Sequence, residues 1–181
     1  MPVTPLHMGP GMALKAIAGD RFSLTMFGVA QVAIDIEPLV GMIRGAPELH
    51  GWTHTYVGAT LIAAAVLVLA RPMCIRIVRW WNAELRRNGL DWLATQDRIG
   101  WDAAAAGAFV GTWSHVALDS IMHLDMAPLR PFAGGNALLL ATTVDMLYLD
   151  CLLAGIAGLG LWIAIRFMRG PRRRAGRAEH R

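Results

Sequence analysis

Three stretches of this sequence, residues 52–70, 103–124 and 137–168, are apolar over about the 20 residues that a helix needs to cross a bilayer core of about 30 Å. A fourth, residues 22–36, is shorter and helix-compatible, and is expected to end at Glu37-Pro38, because the residue before a proline is pushed out of the α region. Only 17% of the 181 residues are charged, against about 25% in ordinary soluble domains. These features predict an all-α, polytopic membrane bundle of about four transmembrane helices.

Two further segments complete the expected architecture. Residues 8–18 are helical in composition but span only about 16 Å at 1.5 Å per residue, so they cannot cross alone. They are expected to form a short re-entrant or interfacial helix, turning at Gly19-Asp20 and packing back on the first long helix, which brings His7 to the level of Asp35. Residues 73–100 are amphipathic, with Cys74, Val78, Trp81 and Leu85 on one face and Arg76, Arg79, Arg86 and Arg87 elsewhere on the wheel. This is the pattern of a helix lying in the headgroup region.

The chain is basic, with 17 Lys+Arg against 13 Asp+Glu and a pI near 9.8. The excess is local: from Arg166 onward there are seven arginines and one acid, and the rest is slightly acidic. The tail and the amphipathic segment therefore read as anchors on anionic headgroups of membrane lipids, not as a nucleic-acid surface. The positive-inside tendency puts both on the cytoplasmic side of a bacterial-type inner membrane. Residues 1–168 then form one embedded domain and 169–181 a basic cytoplasmic tail, expected to be disordered. Residues 1–10 have neither a basic nor an apolar leader region, so no cleaved signal is expected. Two distant cysteines, Cys74 and Cys151, make no metal-binding or disulfide framework.

Ionisable side chains inside membrane spans are expensive and mark function, and here they gather. His50 and His54 are spaced H-x-x-x-H at the start of the second long segment. His115, Asp119 and His123 follow at i, i+4 and i+8 on one helix face. Asp35 and Glu37 close the first segment, and Asp125 follows His123. Each group alone has a plain structural reading: a hydrogen-bonded pair, a helix end, a core histidine. Together, at one depth, they read as ligands of a divalent cation, with zinc the metal that imidazole and carboxylate donors suit best. Asp145 and Asp150 read as interfacial or as hydrogen-bonding support, and His180 as a solvated bystander.

The order Thr4-Pro5-Leu6-His7, Asp35-Ile36-Glu37-Pro38, His50-Gly51-Trp52-Thr53-His54-Thr55 and Ser114-His115-Val116-Ala117-Leu118-Asp119 resembles the membrane-bound, metal-dependent hydrolases of the YdjM type. Those proteins show an early histidine, an L-P-D-x-D-type segment, an H-R-G-x-T-H-S segment and a late H-x-x-L-D segment. They are in turn distantly similar to zinc-dependent phospholipase C and P1-type nucleases. Gly51 stands where that pattern commonly has arginine, and Glu37 where it often has the second aspartate. Arg130, in Pro128-Leu129-Arg130-Pro131, is a candidate to substitute for that arginine.

The resemblance implies phosphoester hydrolysis, with His7, Asp35, Glu37, His50, His54, His115 and Asp119 as metal ligands. Glu37, His123 and Asp125 are the candidates for catalytic work on the substrate or its leaving group. Two other classes remain open at this stage: a bis-histidine haem protein of four-helix type, and an ion- or proton-coupled transporter or assembly factor without hydrolysis.

Overall fold

The computed structural model describes the backbone of residues 5–178 and the side chains of residues 5–169. It is helical throughout, with no strand among the described residues. The helices are α1 (Met8–Ala18), α2 (Leu24–Ile34), α3 (Ile36–Arg44), α4 (Tyr56–Leu69), α5 (Arg71–Arg87), α6 (Trp101–Met122) and α7 (Val144–Ala178). Two starts are capped by hydroxyls that accept orphan backbone N–H groups: Ser23 takes that of Met26 before α2, and Thr55 that of Gly58 before α4.

Among the described residues two stretches are long and apolar enough to cross a membrane, Leu24–Arg44 and Val144–Arg169, and α4 with α5 makes a third if the pair is one span bent by 59°. That is fewer than the four expected. The difference is α6, which has the length but carries Ser114, His115, Asp119 and Ser120 in its second half. It lies between α2 and α4, with Ala104, Ala108, Gly111, Thr112 and Val116 all buried. The side packed on those helices need not be apolar throughout, while Trp101 and Trp113 stay exposed.

Several boundaries also move. Helix continues past Pro38, because proline sits at the third residue of α3, where a missing N–H leaves no intrahelical bond unmade; α3 ends at Gly45, with φ 66°. Residues 52–54 form a 3₁₀ turn, so α4 starts four residues later than expected. The amphipathic helix stops at Arg87, and a 3₁₀ turn and irregular chain fill the way to Gly100. Residues 137–143 are turns, and α7 begins at Val144. That helix runs to Ala178, into the stretch expected to be a disordered tail. The side-chain contacts expected of the arginines beyond 169, together with Thr4 and His180, lie outside the described residues.

The short α1 packs chiefly on α7 rather than on α2. Close approach of α2 and α6 is set by two glycines: a Cβ at Gly107 would stand 2.4 Å from the Ser23 carbonyl oxygen, and one at Gly111 2.9 Å from Ala30. The apolar centre, Met26, Ala30, Ala63, Ala104 and Ala108, is built from the same three helices. That tight contact carries the C-terminal end of α2 to the second half of α6, where the polar residues are.

Candidate metal centre

Asp35, at the break between α2 and α3, and His115 and Asp119, one turn apart on α6, meet His54 from the 3₁₀ turn before α4. One ligand atom from each of the four lies within 4.8 Å of all the others, and all four residues are buried. The His115 Nε2 stands 3.1 Å from Asp119 Oδ2 and 3.2 Å from Asp35 Oδ1. His54 Nε2 is 3.5 Å from Asp119 Oδ2 and 3.9 Å from Asp35 Oδ1. His7, from the turn that precedes α1, places Nε2 3.7 Å from Asp119 Oδ1. His50 places Nε2 3.9 Å from Asp119 Oδ2.

The outward sides of three rings are occupied, while neither nitrogen of His7 has a hydrogen-bond partner. His115 Nδ1 lies 2.5 Å from the Gln31 Oε1, His54 Nδ1 lies 3.0 Å from the Thr53 hydroxyl, and His50 Nδ1 lies 2.8 Å from Asp125 Oδ1. The Gln31 oxygen and the Asp125 carboxylate can only accept, so His115 and His50 donate there. The Thr53 hydroxyl gives its proton to Glu37 and can accept from His54. In the neutral rings this puts the N–H on Nδ1 and the lone pair on Nε2, facing inward. The Nε2 atoms of His7, His54 and His115 are buried with no hydrogen-bond partner.

Inward-facing imidazole lone pairs and carboxylate oxygens repel one another unless something positive lies between them. A proton on one ring is one answer, but none of the short contacts has hydrogen-bond direction. A cation answers for all of them at once: donors at about 2.0–2.2 Å from one ion stand about 3–4 Å from each other, which is the spacing found. Carboxamide, hydroxyl and carboxylate partners behind the rings are the outer support that metal-ligating histidines ordinarily have. The donors of His54, His115, Asp35 and Asp119 therefore fit a divalent cation.

Glu37, His123 and Asp125 stand around this group rather than in it. Glu37 accepts the backbone N–H groups of Trp52 and Thr53 at 3.2 and 2.8 Å and the Thr53 hydroxyl, which fixes the turn that presents His54. Asp125 accepts the backbone N–H groups of Leu49 and His50 at 3.0 and 3.1 Å besides the His50 ring. Partial burial alone would raise the Asp125 carboxyl, but these three donors outweigh it and hold the group at about 2. His123 is the residue after α6, not a third rung on its face; its ring stacks on His50, with centroids 4.1 Å apart. His50, His123 and Asp125 form a second, more open group of possible ligands.

His50 and His54 do not share a helix face, since both precede α4. Asp145 and Asp150 are exposed on α7. Gln31 and Thr53 were not among the expected site residues. The signal for Gln31 was present: a lone carboxamide in an apolar helix, four residues before Asp35 and so on its face. Thr53 had none beyond adjacency. No protein-family model, curated protein or solved structure matches the chain.

Proposed function

We propose that the protein is an integral membrane, metal-dependent hydrolase, with zinc as the metal, acting on a phosphoester-type or lipid-related substrate at the membrane surface. The observation that carries the reading is the pair of buried Nε2 atoms of His54 and His115, without hydrogen-bond partners and facing two buried carboxylates while their Nδ1 sides are tied outward. The resemblance of the motifs to YdjM-type hydrolases supports the choice of reaction. Positive-inside placement of the arginine-rich α5 and the C-terminus would put the site toward the outer face.

In this reading Asp35, His54, His115 and Asp119 hold the cation, and His7 and His50 complete its surroundings. When bound, the cation would supply Lewis acidity toward water and the scissile group. Gln31, Thr53 with Glu37, and Asp125 hold the rings in orientation. His123, stacked against His50, would pass a proton to a leaving group. A haem slot wants two nitrogens on opposite sides of an apolar gap, and the convergence of acids with histidines disfavours it.

The test is metal content of the purified protein, with His115→Ala and Asp119→Ala beside it, followed by hydrolysis of a chromogenic phosphodiester. Stoichiometric zinc in the wild type, its loss in both variants and turnover that follows zinc are expected. Unchanged metal in both variants overturns the site; tight zinc with no hydrolysis of any phosphoester leaves the transporter reading.

A further inference from the structure

Beside the metal centre lies a cavity of about 170 Å³ lined by His50, Gly51, Trp52, Thr55, Ala127 and Arg130. The ionisable side chains that converge on the centre are histidines and carboxylates, and Arg130 brings a full positive charge to this wall. Asp125, the nearest acid in sequence, has its oxygens engaged by Leu49, His50 and the His50 ring, and no ion pair joins it to Arg130. The loop is held in place: the Pro128 carbonyl accepts the Tyr56 N–H at 2.9 Å, and the Arg130 N–H donates to Ala127 O at 3.1 Å. Gly51, also in the lining, offers no side chain, and a Cβ there would meet the Glu37 carboxylate, with Oε1 at 2.6 Å. The guanidinium in the lining is that of Arg130.

Trp52 of the lining and apolar residues of the loop that carries Arg130 are exposed. Phe132, Leu124, Leu129 and Trp52 are 85%, 83%, 51% and 50% exposed. The cavity falls below the 300–1,000 Å³ or so usual for a whole small ligand, so it admits a small polar head while the rest of the molecule stays outside, against these side chains. We infer that this cavity is the headgroup subsite of the proposed hydrolase, that Arg130 binds the phosphate oxyanion of the substrate, and that the substrate is an amphiphile whose tail lies along Trp52, Leu129 and Phe132. The inference rests on the hydrolase reading for the identity of the oxyanion. A guanidinium fits a phosphate with two parallel hydrogen bonds.

Two non-hydrolysable probes, methylphosphonate and hexylphosphonate, separate the head from the tail. Calorimetric titration of the zinc-loaded protein in a neutral detergent is expected to show tighter binding of hexylphosphonate. Arg130→Ala is expected to weaken both probes by about 10- to 100-fold, the range for a lost charge-assisted contact, with partial recovery in Arg130→Lys and zinc content unchanged. Phe132→Ala with Leu129→Ala is expected to remove only the preference for hexylphosphonate. With the chromogenic phosphodiester, Arg130→Ala is expected to raise KM much more than it lowers kcat. Equal methylphosphonate binding by wild type and Arg130→Ala overturns the subsite, even if the protein hydrolyses phosphoesters. Arg130-dependent binding in a protein that hydrolyses none upholds the subsite and fails the hydrolase reading alone. Wild-type affinities equal for the two probes overturn the amphiphile.

Discussion

Both ends of α6 adjoin a buried polar cluster, and the two are finished differently. Near its start, Asn82 of α5 is 1% exposed and every polar atom is used: its amide donates to Thr95 O at 3.1 Å and Asp97 Oδ1 at 2.7 Å, and its oxygen accepts the Thr95 N–H at 3.0 Å. Arg71 likewise gives two hydrogen bonds to the Ile99 carbonyl while stacking over Trp101. Near its end, His54 and His115 are buried as deeply, yet ring nitrogens face carboxylates with no hydrogen bond between them. The first cluster closes on itself and holds a loop. In the second, His54 and His115 are tied only from behind, and their inward nitrogens are left as donors that suit a cation.

Loading with metal is the widest test of that difference. At zinc about 1,000-fold above its Kd, binding to the folded state alone adds about 4 kcal/mol to unfolding. A clear rise in Tm over chelator-treated protein is expected in the wild type and in Asn82→Ala, and none in Asp119→Ala. Equal Tm values for loaded and chelated wild type would erase the contrast. Next come the groups behind the rings. Gln31→Leu and Thr53→Val are each expected to weaken zinc by about 10- to 100-fold, read by competition with a chelating dye. A closed structural cluster has no counterpart to this loss, so Asn82→Ala should leave zinc affinity alone.

Asn82→Ala tests the other end. It strands the Thr95 N–H and removes a donor to Asp97, for about 2 kcal/mol of stability. The Asp97 carboxyl is held below the usual carboxylate range, first by the Asn82 amide and then, against slight burial, by Arg86 and Arg79. A depressed carboxyl contributes stability above its unfolded pKa of about 4 and loses it as pH falls through the folded value. The gap in Tm between wild type and Asn82→Ala should therefore narrow as the pH drops below that range; a gap constant with pH would show that Asp97 plays no part.

Much of the second cluster was legible because helical spacing is local. His115 and Asp119 are one turn apart whatever surrounds them, and Asp35 ends an apolar run. His50 and His54 show the limit: H-x-x-x-H reads as one turn of helix, but Glu37, 15 residues before Trp52, reaches across to hold the Trp52 and Thr53 N–H groups and makes the segment a loop and a 3₁₀ turn. Hydropathy misled for α6 in a related way. Read along the segment it predicts a span, but α6 is not among the stretches apolar enough to cross, and its polar Thr112, His115, Asp119 and Ser120 are buried within the packed helices. Which faces are covered is a property of the packed helices, not of the segment.

The smallest expected effect concerns the charges most easily counted. Arg86 and Asp97 pair at 3.0 Å, with their side chains 48% and 45% exposed. Water screens such a pair, and ordering two long side chains offsets most of the attraction, so Arg86→Ala should lower stability by about 0.2–1 kcal/mol. The loss should shrink further as salt is raised, since the Debye length falls to about 3 Å at 1 M. Zinc affinity should not change. A loss as large as that of Asn82→Ala, or one indifferent to salt, would mean that the guanidinium is part of the buried network. The contrast between the two ends of α6 would then rest on charge at both of them, rather than on closed hydrogen bonding at one and facing lone pairs at the other.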